Sequence, residues 1–183
     1  MKYIFEQLCN ILKNGCLSLK TDIDGNKIPS TQIGTFFILV PYCIIGTAYW
    51  LEINLSNSID SILTTLSILT AFILGALFIV PDIFTKRIET LSQKKDNANQ
   101  YYLIRFHNLT KKFVQQTSFI IVLSIINSAL LLIQKIINND IGILILSAIN
   151  YSIFYILLMF ILIILVNIYI LLMDDVNKNK EKI

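Results

Sequence analysis

Asp22, Asp24 and Asn26 stand at alternate positions beside Gly25, which in residue type is how a calcium loop begins. The spacing denies that chemistry. Gly25 follows Asp22 by three positions where an EF-hand needs about five, and no glutamate closes the loop. Asp24-Gly25 reads instead as a two-residue hairpin turn flanked by alternating residues. Cys9 and Cys16 are seven apart and share a helix face, but no histidine or further cysteine completes a metal site, so the spacing reads as packing. With Cys43 they are expected to be free thiols. His107 is the only histidine and lies among Arg105, Lys111 and Lys112, where a solvated side chain is expected. Asp174 and Asp175 are neighbours, and adjacent helical residues do not point the same way, so they mark a helix end rather than an acid–base pair. No GxSxG, HExxH, CxxC or phosphate-cradling glycine loop is present. The chain therefore reads as a non-enzyme, with no catalytic residue, metal or cofactor.

The distribution of charge is more informative than any such motif. Fourteen of the fifteen Lys and Arg residues fall within residues 2–27, 86–112 and 178–182, the exception being Lys135. Residues 28–51, 61–81, 113–134 and 141–173 hold no Asp, Glu, Lys or Arg. A spanning helix needs about 20 mostly apolar residues, and each run is long enough. Basic loops stay on the cytoplasmic side. The expected fold is an all-α membrane protein with four transmembrane helices, both termini in the cytoplasm, and the helices around residues 83–112 and after residue 161 extending into the cytoplasm. The first span is expected to act as its own insertion signal, since charges interrupt the first 20 residues and no small-residue cleavage site follows.

Residues 1–32 read as a cytoplasmic amphipathic helix, with Ile4, Leu8, Ile11 and Leu12 on one face, followed by the hairpin. The first span is 33–51, kinked at Pro41, with Tyr49 and Trp50 at its outer end. An outer loop, 52–60, leads to the second span, 61–82. Residues 83–112 form a basic cytoplasmic helical hairpin with Asp96-Asn97-Ala98-Asn99 as its loop. The third span is 113–135, the outer turn 136–140 and the fourth span 141–173, before a polar tail, 174–183. Residues 141–173 would measure about 50 Å as helix against a core of about 30 Å. The surplus beyond Ile161 is expected to bury itself on Tyr102, Phe106 and Leu109, or in an oligomer contact.

Three groups of residues carry the functional expectations. Lys86, Arg87, Lys94, Lys95, Arg105, Lys111 and Lys112 make a basic surface for anionic lipid or an acidic partner. Thr64, Ser67, Ala71 and Gly75 form a small-residue stripe suited to close helix packing in lipid. Ser124, Asn127, Ser128, Ser147 and Asn150 fall at similar depths on the third and fourth spans. A buried amide is costly unless bonded, so a polar clasp is expected there, with Asn127 and Asn150 bonding each other, backbone or a second copy. No formal charge lies inside a span, which argues against an ion-coupled transporter. A pore lined by Ser, Thr and Asn stays open as an alternative, and direct nucleic-acid binding has no recognisable fold to support it.

In its length, four spans, inward termini and cytoplasmic extension between Pro81 and Phe113, the chain resembles the membrane subunit of the Kiwa anti-phage defence system. The resemblance is architectural and carries no residue roles. It implies a homo-oligomer, a tetramer, in the bacterial inner membrane. Such a protein would sense phage attachment or envelope perturbation and work with a cytosolic DNA-binding effector. A sensor or scaffold is thus the first expectation, a channel or membrane-permeabilising protein the second, and a small transporter the third.

Overall fold

The computed structural model describes residues 2–92 and 97–180; within these, the side chains at 57, 83–84, 87–88, 90–92, 97–102, 171–172 and 174–180 lie outside the description. The described backbone is helical apart from short connections, and contains one isolated antiparallel bridge, Thr21 to Lys27. Helix α1 is Lys2–Ser18, α2 is Ser30–Gly34 and α3 is Val40–Trp50. Helix α4 is Ile59–Ser92, α5 is Asn97–Ile136 and α6 is Asp140–Lys180. Among the described residues, four stretches are long and apolar enough to cross a membrane: Ser30–Trp50, Ile59–Asp82, Leu103–Ile136 and Asp140–Ile170.

A π-helical turn, Thr35–Leu39, joins α2 to α3. Pro41 explains it. Proline has no N–H to give to the carbonyl four residues back, and its ring collides with that carbonyl. Widening the preceding turn makes room for the ring without breaking the helix. The widened turn carries Phe37, whose ring meets Phe160 of α6 edge-on at 5.3 Å. Phe160 also lies 4.5 Å from Phe119 of α5. Three spans are therefore tied at one level by aromatic contact.

The helices pack in the lateral order α3, α6, α5, α4, with α1 against α5. Leu66 of α4, Ile120 and Leu131 of α5, and Leu157 of α6 are fully buried at the centre. The short connections 51–58 and 137–139 lie at the same end of the bundle: Lys135 pairs with Asp60 at 2.8 Å, and the Leu55 N–H donates to Ser147 Oγ at 3.2 Å. Lys135, the one basic residue outside the three charged segments, thus has a carboxylate partner there. Both groups of that pair are exposed, so it aligns the helix ends more than it stabilises them.

Helices α4, α5 and α6 contain 34, 40 and 41 residues, which at about 1.5 Å each gives roughly 51, 60 and 62 Å. Each exceeds a hydrocarbon core of about 30 Å. Helix α4 passes through Pro81 without a break. Two helix ends differ from the sequence reading. Helix α6 continues through Asp174 and Asp175 to Lys180, and α5 already begins at Asn97, inside the stretch read as a loop. The surplus of α6 also differs. Phe106 and Leu109 are buried as expected of an acceptor face, yet Leu162, Leu165, Val166, Tyr169 and Met173 remain exposed. One apolar face of that helix has no cover among the described residues.

Candidate functional site: a docked hairpin and a buried polar clasp

Residues 19–28 fold as a tight hairpin. The Asp22 N–H donates to the Asn26 carbonyl at 2.8 Å, and the Gly25 N–H to the Asp22 carbonyl at 3.2 Å. The turn therefore holds three residues, Ile23, Asp24 and Gly25, rather than the two expected. Gly25 has a φ of +85°, the left-handed position that this turn class gives to glycine. The Asp22 carboxylate accepts the Asn26 N–H at 2.8 Å and the Asn26 Nδ2 at 3.0 Å. Partial burial works to raise the Asp22 pKa, but the bonds from Asn26 and the charge of Lys112 outweigh it and hold the carboxyl below its ordinary value.

The hairpin is seated on α5. Ile23 is buried, and its carbonyl accepts Asn108 Nδ2 at 3.4 Å. Arg105 Nε lies 2.6 Å from Asp24 Oδ1, and Lys112 Nζ donates to the Thr21 carbonyl. Arg105, Asn108 and Lys112 recur at three and four residues, which puts them on one face of the helix. Two members of the expected basic surface are thus internal anchors, and Lys112 is only 8% exposed. Lys86 is exposed and pairs with Asp82 at 2.7 Å, a bond that raises its pKa. Lys111 is exposed, as is His107. The Arg87 side chain, Lys94 and Lys95 lie outside the described residues.

Beneath the hairpin, at the level where α2 and α5 begin their apolar runs, is a cavity of about 250 Å³. Lys112, Gln116 and Asp22 edge it, and Phe36, Phe37 and Ile163 are among its apolar walls. Gln116 is 1% exposed and its Oε1 has no partner among the described residues.

At the other end of the bundle lies the clasp, with different members from those expected. Gln134 Nε2 donates to Ser147 Oγ at 2.8 Å, and Asn150 Nδ2 donates to Gln134 Oε1 at 2.9 Å. Gln134, near the end of the expected third span, is not among the residues expected to form the clasp. Asn127 and Asn150 do not bond each other. Asn127 is fully buried, and neither of its amide atoms finds a partner among the described residues. Ser124 is buried and its Oγ has no partner among the described residues, while Ser128 lies beside the groove between α4 and α5.

No protein-family model, curated protein or solved structure matches the chain.

The small-residue stripe lies on the outer side of α4. Thr64, Ser67, Ala71 and Gly75 are all exposed, and nothing lies within 4 Å of a Cβ placed at Gly75. The face of α4 that meets α5 carries Ile59, Leu66 and Ile73 instead. Thr64 and Ser67 donate to the carbonyls of Asp60 and Leu63, each at 2.8 Å, so their hydroxyls need no burial partner. Ser67 and Ala71 rim an open groove against Ser124 and Ser128 of α5.

Close approach occurs elsewhere, at a residue the sequence reading passed over. A Cβ at Gly15 of α1 would lie 2.5 Å from side-chain atoms of Phe119. Glycine is what lets α1 lie against α5. The available signal was its position among the larger residues of the amphipathic helix. Among the described residues, no three His, Cys, Asp or Glu side chains converge as a metal site would require.

Proposed function

We propose that the chain is an oligomeric sensor or scaffold of the bacterial inner membrane that recruits or regulates a cytosolic effector, in a role such as the detection of phage attachment or envelope perturbation. The observation that carries this reading is the continuity of α4 and α5. Each runs unbroken from a membrane-spanning stretch into a charged extension, and the docked hairpin braces α5 at the junction. Unbroken helices transmit tilt or rotation from a membrane to what they hold. The apolar face of α6 from Leu162 onward supports self-association, because the described residues leave it bare. Both termini and the α4–α5 extension are placed in the cytoplasm on the positive-inside rule.

Affinity capture of the tagged chain from crosslinked native membranes tests the proposal. The expected result is a stoichiometric soluble partner, encoded nearby, whose capture weakens when Lys111 is changed to Glu. Recovery of the chain without a soluble partner, before or after envelope stress, counts against it. A pore is the second reading, favoured by the hydroxyl-edged groove of Ser67, Thr70, Ser124 and Ser128. Ion currents from the purified chain alone in planar bilayers would establish that alternative.

A further inference from the structure

We propose that the cavity under the hairpin holds the headgroup of a membrane phospholipid, with its phosphate against Lys112 and a headgroup N–H or O–H donor against Gln116 Oε1. Four observations converge. The cavity, about 250 Å³, has room for a headgroup rather than for one water, whose share of liquid volume is about 30 Å³. Its polar edge carries both signs of charge, Lys112 and Asp22, which suits a group bearing a phosphate beside a donor. Gln116 presents a buried acceptor that no described residue satisfies, and native proteins rarely leave one so. Lys112 has three N–H donors and one described acceptor, the Thr21 carbonyl, so it can take a phosphate oxygen without leaving the hairpin.

The position selects a lipid over a soluble anion. Lys112 directly precedes Phe113, where the uncharged run of α5 starts, and Gln32 stands at the opening of the first span. This is headgroup depth. Phe37 and Ile163 form apolar wall below the polar edge, and Phe36, half exposed, flanks it as an acyl chain leaving the site would require. The site would order the hairpin from beneath whether or not a cytosolic partner exists.

Native mass spectrometry of the full chain, purified in mild detergent, tests this with phosphatidylethanolamine, phosphatidylglycerol and phosphatidylcholine supplied together. The first two headgroups carry a donor and the choline headgroup carries none. The expected result is retention of the first two over phosphatidylcholine by about fivefold or more, a preference that Gln116→Leu removes while circular dichroism stays unchanged. Lys112→Gln should lower retention of both preferred lipids. Equal retention of all three by the unaltered chain would overturn the proposal and leave the cavity to water. Displacement of the bound lipid by millimolar glycerol phosphate would overturn the lipid assignment in favour of a soluble phosphate. Should Gln116→Leu fail to fold, the competition on the unaltered chain decides by itself.

Discussion

Asn150 donates its side-chain N–H to Gln134 Oε1 at 2.9 Å, and the same Gln134 amide donates to Ser147 Oγ. One glutamine thus uses both ends of its amide across the α5–α6 contact, and Ser147 extends the network to the Leu55 backbone. The network fixes the vertical register of the two helices and pins the 51–58 connection to it. Asn127, two helical turns or about 10 Å further in, has no share in it.

That contrast yields opposite outcomes for two similar substitutions. Gln134→Leu strands Asn150 and Ser147 and should lower stability by about 1 kcal/mol, the scale of interhelical hydrogen bonds in membranes. Asn127→Leu replaces an unpartnered amide by a group of similar shape and should raise the unfolding midpoint. Reversible unfolding in mixed micelles measures both, and a large loss at Asn127 would reveal a partner for it.

Gly15→Ala forces a methyl into the Phe119 side chain and should cost about 1–3 kcal/mol of the α1–α5 contact. Gly75→Ala meets no atom within 4 Å and should be neutral or stabilising by about 0.5–1 kcal/mol through helix propensity. Proteolytic release of α1 should separate the two variants.

Lys112→Met should free residues 19–28, read as faster amide exchange at Ile23, while α5 stays folded. The pH dependence follows from Asp22. Its carboxyl in the folded chain sits below the ordinary value of 3.8, so its contribution is complete above that value and is lost as pH falls through the folded pKa. The hairpin should stay docked at about pH 5 and loosen only below about pH 4. Loosening on a rise from neutral pH would contradict the assignment.

The three exposed cysteines report topology. Cys9 should react with a membrane-impermeant maleimide in inside-out vesicles and not in intact spheroplasts. Cys16 should lag behind it, because burial raises its pKa and lowers the thiolate fraction. Cys43 lies on an outward face of a span and should stay unlabelled from both sides. Labelling of Cys9 in intact spheroplasts would invert the orientation.

The spans were legible because uncharged length is a local property, and Pro41 marked the place where the regular helix gives way to a π-helical turn. Contacts set by packing were not. Reading depth from the helix ends assumed that α5 and α6 meet end to end. Instead α6 begins about two turns before the level of its partner residues, which brings Ser147 and Asn150 to Gln134. The stripe of Thr64, Ser67, Ala71 and Gly75 has the right spacing for a contact but does not say with which helix, and the described residues leave it exposed. Arg105 and Lys112 have the composition of a basic surface. Their partners, Asp24 and Thr21, lie more than eighty residues earlier in the chain, beyond the reach of any periodicity.

The unbroken length of α5 has a mechanical consequence. Taken about its midpoint, a helix of about 60 Å is a lever with an arm of about 30 Å. A change of 5° in tilt, well within the adjustment that a thicker or thinner bilayer imposes, would sweep the far end by about 3 Å. The hairpin clamped at Arg105 and Lys112 lies along the inner part of that arm, about 7 to 18 Å from its base, so it stiffens the arm and moves with it. Local bilayer thickness would thus be converted into displacement at the Asn97 end, with no hinge and no ligand required.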